Sequence, residues 1–177
     1  TDINPTGAIY SYAYNTTGDQ QVGTAYFGDN MHAPIWGWHA GIWSGTKGSW
    51  GDLNPAGAEY SEANGISGGL QVGTSRVVTY FGGGVNPDVN NHASLWNGTA
   101  ASWEDLHLLL PTGVYSSSSA NDIYVSGATI NIVGTAHRTN GNWDAILWQH
   151  TAVTEPSSLV VLGTLLTPFL AFRRRRK

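Results

Sequence analysis

Short apolar stretches alternate with turn residues along the first 150 residues of the chain. Residues 8–14 mix aromatic and β-branched side chains with small ones, and residues 15–19 have turn composition. Similar apolar stretches follow at 20–27, 39–43 and 49–53, and an Asn-Pro pair ends the set. No helical period persists over three turns before residue 150. The pattern predicts four short strands in about 50 residues and an all-β class.

The strand pattern recurs along the chain. A Val-Gly-Thr element occurs at 22–24, 72–74 and 133–135. An Ala-x-x-Trp element follows each copy, and its alanine is Ala40, Ala93 and Ala145. Segments 43–53 and 96–106 are identical at seven of eleven positions. We therefore expect β repeats at 8–57 and 58–113 and a partial β repeat at 114–152.

The first residues match the end of a repeat, because 2–7 and 52–57 share the pattern Asp-x-Asn-Pro-x-Gly. This match predicts that 1–7 are the end of a truncated upstream repeat; the alternative is an ordinary turn composition. Four strands in about 50 residues is the size of one β-propeller blade, and a ring needs typically 4–8 blades. The predicted fold is therefore an all-β, incomplete β-propeller-like arc with at least one unpaired edge, followed by a C-terminal hydrophobic helix.

Charge is sparse and unevenly placed. Charged residues make up 11% of the chain, which has a formal net charge of -4. Five of the eight basic residues end the sequence, as Arg173, Arg174, Arg175, Arg176 and Lys177. The preceding repeats carry three basic and eleven acidic residues, so nucleic acid is not an expected partner. The chain has no cysteine, which excludes disulfides and thiolate metal sites.

Residues that recur in every repeat are expected to be structural. Trp43, Trp96 and Trp148 occupy one repeat position and should pack between stacked units, with a sugar-stacking platform as the alternative. Asp52 and Asp105 recur likewise and should hydrogen-bond at turns or strand ends.

The sequence predicts no catalytic residue, no metal ligand and no cofactor. Residues 65–69 fit the Gly-x-Ser-x-Gly pattern of a hydrolase, but they lie in a predicted turn with no helix after it. None of the six histidines has metal-ligand spacing to another, and phosphate-binding, calcium-binding and dinucleotide-binding loops are absent.

The insertion at 27–38 differs from its counterpart at 77–91, and loops that differ between repeats commonly carry recognition. Trp36 and Trp38 could stack on sugar rings, with Asp29 and His32 as polar contacts. The alternative is a partly buried loop that plugs the structure.

The run Val-Gly-Thr, His-Ala-x-Leu-Trp and Trp-x-Asp-Leu resembles bacterial extracellular repeats that are named after a His-Ala-Phe signature. The third signature position holds Gly41, Ser94 and Ile146, and Asp144 replaces the first histidine in the last copy. The resemblance covers roughly residues 1–150 and implies a secreted propeller-like array, without naming a reaction.

The composition changes sharply after Trp148. A polar linker at 149–158 precedes an apolar stretch at 159–172, and the basic cluster 173–177 follows. At ~1.5 Å per residue a helix over 159–172 spans roughly 21 Å, and extension back to Val153 gives roughly 30 Å, so a membrane span is marginal. The basic end would stay cytoplasmic and the repeats outside; a buried C-terminal helix is the alternative.

Glu155-Pro156, the apolar stretch and the arginine cluster together resemble the PEP-CTERM sorting signal of Gram-negative bacteria, with Thr154 where that signal has its first proline. The resemblance covers 154–177. It implies transient anchoring in the inner membrane, an exosortase-type membrane transpeptidase as partner and cleavage near Glu155-Pro156. It also implies a cell-surface or extracellular protein of bacteria that form exopolysaccharide and biofilm.

The sequence as a whole predicts a non-enzymatic structural or interaction protein of the cell surface or extracellular matrix. A glycan-binding, lectin-like propeller is the first alternative, with polysaccharide as the partner. A surface hydrolase with its active site in missing repeats is the second.

Overall fold

The computed structural model describes residues 1–28, 37–77, 80–81, 84–85 and 90–151. These residues form mainly β-strands, joined by short turns and three single-turn 3-10 helices, so the predicted all-β class is confirmed. The hydrophobic helix predicted at 159–172 lies outside the described residues.

The first antiparallel unit, unit 1, contains four strands that pair in chain order. They are β1 (Tyr10–Thr17), β2 (Gln20–Tyr26), β3 (Trp38–Trp43) and β4 (Gly51–Asp52). A 3-10 turn at Lys47–Ser49 lies between β3 and β4.

Unit 2 repeats this arrangement and adds a small hairpin within its insertion. Its strands are β5 (Ala58–Ser67), β6 (Leu70–Val77), β7 (Tyr80–Phe81), β8 (Gly84–Val85), β9 (His92–Trp96) and β10 (Glu104–Asp105). Strands β5, β6, β9 and β10 pair in that order, whereas β7 and β8 pair only with each other. A 3-10 turn at Ala100–Ser102 precedes β10.

Unit 3 has three strands in the described part of the chain. They are β11 (Tyr115–Ser126), β12 (Thr129–Arg138) and β13 (Trp143–Thr151), and a 3-10 turn at Leu106–Leu109 leads into them. In units 1 and 2 the third strand ends at its tryptophan because Gly45 and Gly98 follow with positive φ. His150 occupies that position in unit 3, and β13 continues to Thr151.

The glycine of each Val-Gly-Thr element packs against a β-bulge. In the three hairpins Gly23, Gly73 and Gly134 pair with the alanine that precedes the bulged residue. A side-chain carbon at Gly73 would overlap the carbonyl oxygen of Glu62, and the two equivalent glycines meet equivalent carbonyls. The repeat keeps glycine here because the bulge brings two backbones too close for a methyl group.

Two predicted turns are partly wrong because the strands continue past this bulge. Strand β1 continues to Thr17, so the predicted turn at 15–19 is wrong at its first three residues. The Gly-x-Ser-x-Gly segment at 65–69 was predicted to lie wholly in a turn, but Gly65–Ser67 ends β5 and strand β6 follows. In both cases the bulged residue absorbs the change in backbone direction, and pairing resumes after it.

Successive units pack against each other through two apolar clusters of matching composition. The first contains Val22, Ala40, Ile42, Leu53, Ala63, Ile66 and Trp96, and the second contains Val72, Ala93, Leu106, Ala120, Ile123, Ile132 and Trp148. Six of the seven positions in each cluster are repeat equivalents. The burial of Trp96 and Trp148 between units confirms the structural interpretation of these tryptophans, whereas Trp43 is buried beside Trp50, with ring centroids 4.7 Å apart.

A buried serine reinforces each interface. Ser61 Oγ accepts the amide of Ala40 in unit 1 at 2.9 Å and donates to Asn54 Oδ1 in the connecting segment at 2.5 Å. At the next interface Ser118 Oγ accepts the amide of Ala93 at 3.0 Å and meets His107 Nδ1 at 2.9 Å. The serines therefore tie successive units to each other and to the segments that join them, and a parallel bridge between Trp38 and Tyr60 also joins units 1 and 2 in one eight-stranded sheet.

We predict that Gly73→Ala lowers the free energy of unfolding by about 2–4 kcal/mol, because the added methyl meets backbone that has no room to move. Urea denaturation of the full chain measures the change. Gly48→Ala is the matched control: nothing lies within 4 Å of its added carbon, and its effect should stay within about 0.5 kcal/mol. Equal effects at the two glycines would contradict the role of the bulge.

Candidate functional site

The recurring histidines and aspartates pair with each other. His39 Nδ1 lies 2.7 Å from Asp52 Oδ2, and His92 Nδ1 lies 2.8 Å from Asp105 Oδ2. Each aspartate also accepts a backbone amide two residues later with its other oxygen. The expected hydrogen bonding of Asp52 and Asp105 at strand ends is confirmed, and both pairs hold the beginning of a third strand to the end of the fourth.

Unit 3 replaces this pair with different chemistry. Asp144, at the histidine position, accepts from Tyr115 Oη at 2.8 Å and from Arg138 Nε at 2.6 Å. The hydrogen bond from the Tyr115 hydroxyl is the main reason that the pKa of the Asp144 carboxyl is lowered, and the guanidinium of Arg138 lowers it further. The same bond raises the pKa of the Tyr115 hydroxyl, because ionised oxygens would repel each other.

Unit 1 carries a cluster of stacked, partly exposed aromatic rings that we call the aromatic surface. Its members are Tyr10, Tyr12, Tyr14, Tyr26 and Trp38. The ring of Trp38 lies 5.7 Å from Tyr12 and 5.2 Å from Tyr26, measured between centroids. Tyr10 stacks on Tyr26 at 6.2 Å, and Tyr14 lies nearly parallel to Tyr12 at 6.4 Å. About half of each side chain of Tyr10, Tyr12 and Tyr14 is exposed, at 57%, 52% and 48%.

Strand register brings these rings together. Tyr10 pairs with Tyr26 across β1 and β2, and Tyr26 pairs with Trp38 across β2 and β3. Directly paired side chains have Cβ atoms about 4.5–5.5 Å apart, which allows the rings to contact one another. Three aromatic residues of unit 1 therefore form one row across the sheet.

The aromatic surface is not repeated in the other units. The positions of Tyr12 and Tyr14 are taken by Glu62 and Asn64 in β5, and by Ser119 and Asn121 in β11. Because these side chains are polar and small or charged, only unit 1 offers an extended apolar platform at these positions.

Polar groups of unit 2 border the aromatic surface. Tyr60 pairs with Trp38 across β3 and β5, and its hydroxyl donates to Glu62 at 2.6 Å. Arg76 lies over the Tyr60 ring at 5.9 Å and donates through Nε to Asn91 at 3.2 Å. Burial is the main reason that the pKa of the Tyr60 hydroxyl is strongly raised, and the hydrogen bond to Glu62 is the second. Burial and the Glu62 charge raise the pKa of the Tyr14 hydroxyl in the same direction.

The structure describes only one of the four predicted glycan contacts. Trp38 lies at the centre of the aromatic surface and is half-buried by its aromatic neighbours. Asp29, His32 and Trp36 lie outside the described residues, as do Glu155, Pro156 and the basic cluster 173–177. The amide of Phe27 donates to the carbonyl of Gly37 at 3.1 Å, so the insertion begins and ends beside Tyr26 and Trp38.

The tyrosines of β1 were predicted only to form a strand. Alternation along one strand does not show which face a neighbouring unit covers, so their part in a surface could not be predicted from it. Three tyrosines at alternate positions, Tyr10, Tyr12 and Tyr14, were nevertheless a signal, because the same strand in the other repeats keeps at most one aromatic residue there.

A groove of about 610 Å³ lies between units 2 and 3. Its apolar lining includes Leu95, Leu106 and Trp148, the equivalents of Ile42, Leu53 and Trp96. At the interface between units 1 and 2, Trp103 from the turn before β10 packs against the cluster that contains Ile42, Leu53 and Trp96.

The aromatic surface has the chemistry of a stacking platform. Flat, exposed rings can stack on the apolar faces of sugars, while Glu62, Arg76 and Asn91 supply a donor and acceptors at the border. Within residues 1–28, 37–77, 80–81, 84–85 and 90–151, no three histidine, aspartate or glutamate side chains form a group that could hold a metal ion. Over the same residues, no helix has the length and apolar character needed to cross a membrane.

Comparisons of the chain with known protein families, with curated proteins and with solved structures find no match.

Proposed function

We propose that this protein is an exported, non-enzymatic interaction module of the cell surface or extracellular matrix, sorted through its C-terminal segment. One observation supports the proposal that the units form an interaction module. The recurring polar and aromatic residues make contacts within and between units, while the exposed aromatic surface as a set is confined to unit 1, because polar residues take the positions of Tyr12 and Tyr14 in units 2 and 3. Repeat proteins commonly divide structure and recognition in this way.

A propeller-like arc is the architecture that we propose for these units. Asn15, Gly65 and Asp122 are equivalent residues, each following the bulge of its hairpin. Asn15 Nδ2 of unit 1 donates to Asp122 Oδ1 of unit 3 at 3.4 Å, across Gly65, where a side-chain carbon would lie 2.8 Å from Asp122 Cα.

The usual spacing of stacked sheets shows that this bond is unexpectedly short for a straight stack. Sheets pack about 10 Å apart, so equivalent residues of units 1 and 3 would then be roughly 20 Å apart. The short distance between Asn15 and Asp122 indicates that strands β1, β5 and β11 converge on one side, which supports a curved arc of wedge-shaped units.

Export rests on the composition of 153–177. Glu155-Pro156, the apolar stretch 159–172 and the basic cluster resemble a sorting signal, and the basic cluster favours a cytoplasmic end. An exosortase-type transpeptidase would cleave near Glu155-Pro156 and release the repeats from the inner membrane.

We predict that Thr154→Pro, which completes the Pro-Glu-Pro pattern, increases the processed fraction of the full chain in a bacterium that has such a transpeptidase. Replacing both Glu155 and Pro156 by alanine should abolish processing. Intact mass of the protein in membrane and surface fractions measures the outcome. Exposed Glu104 and Pro111, replaced together by alanine, form the matched control. Persistence of residues 1–177 in both the wild type and the Thr154→Pro variant would contradict the sorting proposal.

Polysaccharide binding is the second candidate function, and the stacking of Trp38 on Tyr12, with its tilted contact to Tyr26, favours it. Aromatic rings that already stack on one another are held in place, so a sugar binds without ordering them first. Glu62 and Arg76 at the border would orient the hydroxyl groups of the sugar.

We predict that Tyr12→Ala weakens binding to glycans that the wild-type chain recognises on an array by about three- to tenfold. Trp38→Ala should abolish binding, because it removes the central ring. Tyr124→Ala, at a tyrosine of unit 3 that is 65% exposed, is the control and should bind as the wild type does. Absence of glycan binding by the wild-type chain would remove this candidate and leave the export proposal standing.

A further inference from the structure

Each unit presents the same four-residue patch on the face that points toward the next unit. The patch pairs a valine with an isoleucine or leucine and a threonine with an alanine, across the second and third strands. We call it the forward patch. Its members are Val22, Thr24, Ala40 and Ile42 in unit 1; Val72, Thr74, Ala93 and Leu95 in unit 2; and Val133, Thr135, Ala145 and Leu147 in unit 3.

The next unit covers the forward patch in units 1 and 2. Val22, Ala40, Val72 and Ala93 are all fully buried. In unit 3 the same positions are open: Val133 is 48% exposed, Leu147 is 58% exposed and Ala145 is exposed. The chain thus carries a third copy of a surface that is twice used as an interface.

The opposite face of unit 1 carries the complementary half. At the two existing interfaces this half consists of a serine, an alanine two residues later and a leucine from the connecting segment. Ser61, Ala63 and Leu53 supply it at the first interface, and all are fully buried. The equivalents Ser11, Ala13 and Ile3 are half-buried or exposed, and Ser11 Oγ already donates to Asn4 Oδ1 at 2.7 Å, as Ser61 does to Asn54.

We propose that the forward patch of unit 3 binds unit 1 of a second copy of this chain, head to tail. The occupant follows from the two interfaces within the chain, which show the same two surfaces already joined. In the docked pair, Ser11 Oγ of the second copy accepts the amide of Ala145, as Ser61 accepts that of Ala40. Ala13 and Ile3 of that copy cover Val133 and Leu147.

Two contacts differ from the two existing interfaces. Thr16 of the docking copy stands where Ile66 and Ile123 enter the apolar clusters. The aspartate at the end of the fourth strand meets His39 in unit 1 and His92 in unit 2, whereas Asp2 of the docking copy, which already pairs with Lys47, would meet Asp144. Arg138 offsets this change, because its guanidinium bonds Asp144 at 2.6 Å through Nε alone and has further N–H donors for a second carboxylate.

A head-to-tail interface joins two different surfaces, so the second surface of each copy can join a further copy. Such contacts give a closed ring where the rotation closes and an open filament where it does not. Since units 1 to 3 curve toward a common edge, a ring of a few copies is the expected product.

Cysteine cross-linking tests the proposal directly, because the chain has no cysteine of its own. The full chain carrying Ser11→Cys and Ala145→Cys should form a ladder of disulfide-linked oligomers under mild oxidation. Chains that carry only one of the two changes should give dimers when mixed, and each should give essentially no dimer alone. Ala93→Cys with Ser118→Cys, at the existing interface, is the positive control and should form a bond within one chain.

Sedimentation of the full chain gives the second measurement. Val133→Glu should weaken self-association by about tenfold or more, since it places a charge in the docked interface. Leu108→Glu changes an apolar residue that is 75% exposed outside the forward patch, and it should leave self-association unchanged. Both variants keep the same C-terminal segment, so association through that segment would persist in both.

Two outcomes would overturn the proposal. One is a monomeric wild-type chain with no ladder, while the Ala93→Cys and Ser118→Cys control cross-links. The other is a Ser11–Ala145 disulfide that forms only within one chain, which would mean that the ends of a single arc meet each other.

Discussion

A buried serine hydroxyl at each interface between units fixes how the sheets stack. Ser61 accepts a backbone amide from the preceding unit and donates to the side chain of the connecting segment. An unpaired amide in such a buried place costs about 1–3 kcal/mol, so the serine sets both the distance between the sheets and the path of the chain between them. The apolar clusters supply most of the burial, whereas the serine supplies the register.

Much of this arrangement could be predicted from the sequence, because repetition marks the residues that the architecture needs. The Val-Gly-Thr and Ala-x-x-Trp elements located the second and third strands, and the repeat position of Trp96 and Trp148 indicated burial between units. The contacts of the Val-Gly-Thr glycine with a bulge could not be predicted, since a bulge depends on which residues pair across two strands. The end of β1 was misplaced for the same reason.

The candidate site was only partly predictable. Trp38 was identified because its insertion differs between repeats, but Tyr10 and Tyr12 looked like ordinary strand residues. Their exposure depends on how far unit 2 covers unit 1, which is a property of the packed units and not of β1 alone. Glu62 and Arg76 come from another unit, so no local pattern could connect them with Trp38.

The molecule therefore divides its residues between two tasks. Positions that recur, such as Ser61 and Ser118, join the units, and substitution there is constrained by packing on both sides. Positions that do not recur, such as Tyr12, lie where one unit extends past the next, and they are free to serve recognition. Because the interface is built from short, repeated contacts, the same surfaces can join units within one chain and between two copies.

The most direct test of this account is the free energy of unfolding of three equivalent serine variants, measured by urea denaturation at low protein concentration. Ser61→Ala and Ser118→Ala should each lose about 1–3 kcal/mol, because each leaves a buried alanine amide unpaired. Ser11→Ala should lose little, since the alanine amide that would face Ser11 belongs to a second copy, which is dissociated at that concentration. Equal losses at all three positions, or no loss at Ser61 and Ser118, would contradict the claim that the serine joins successive units.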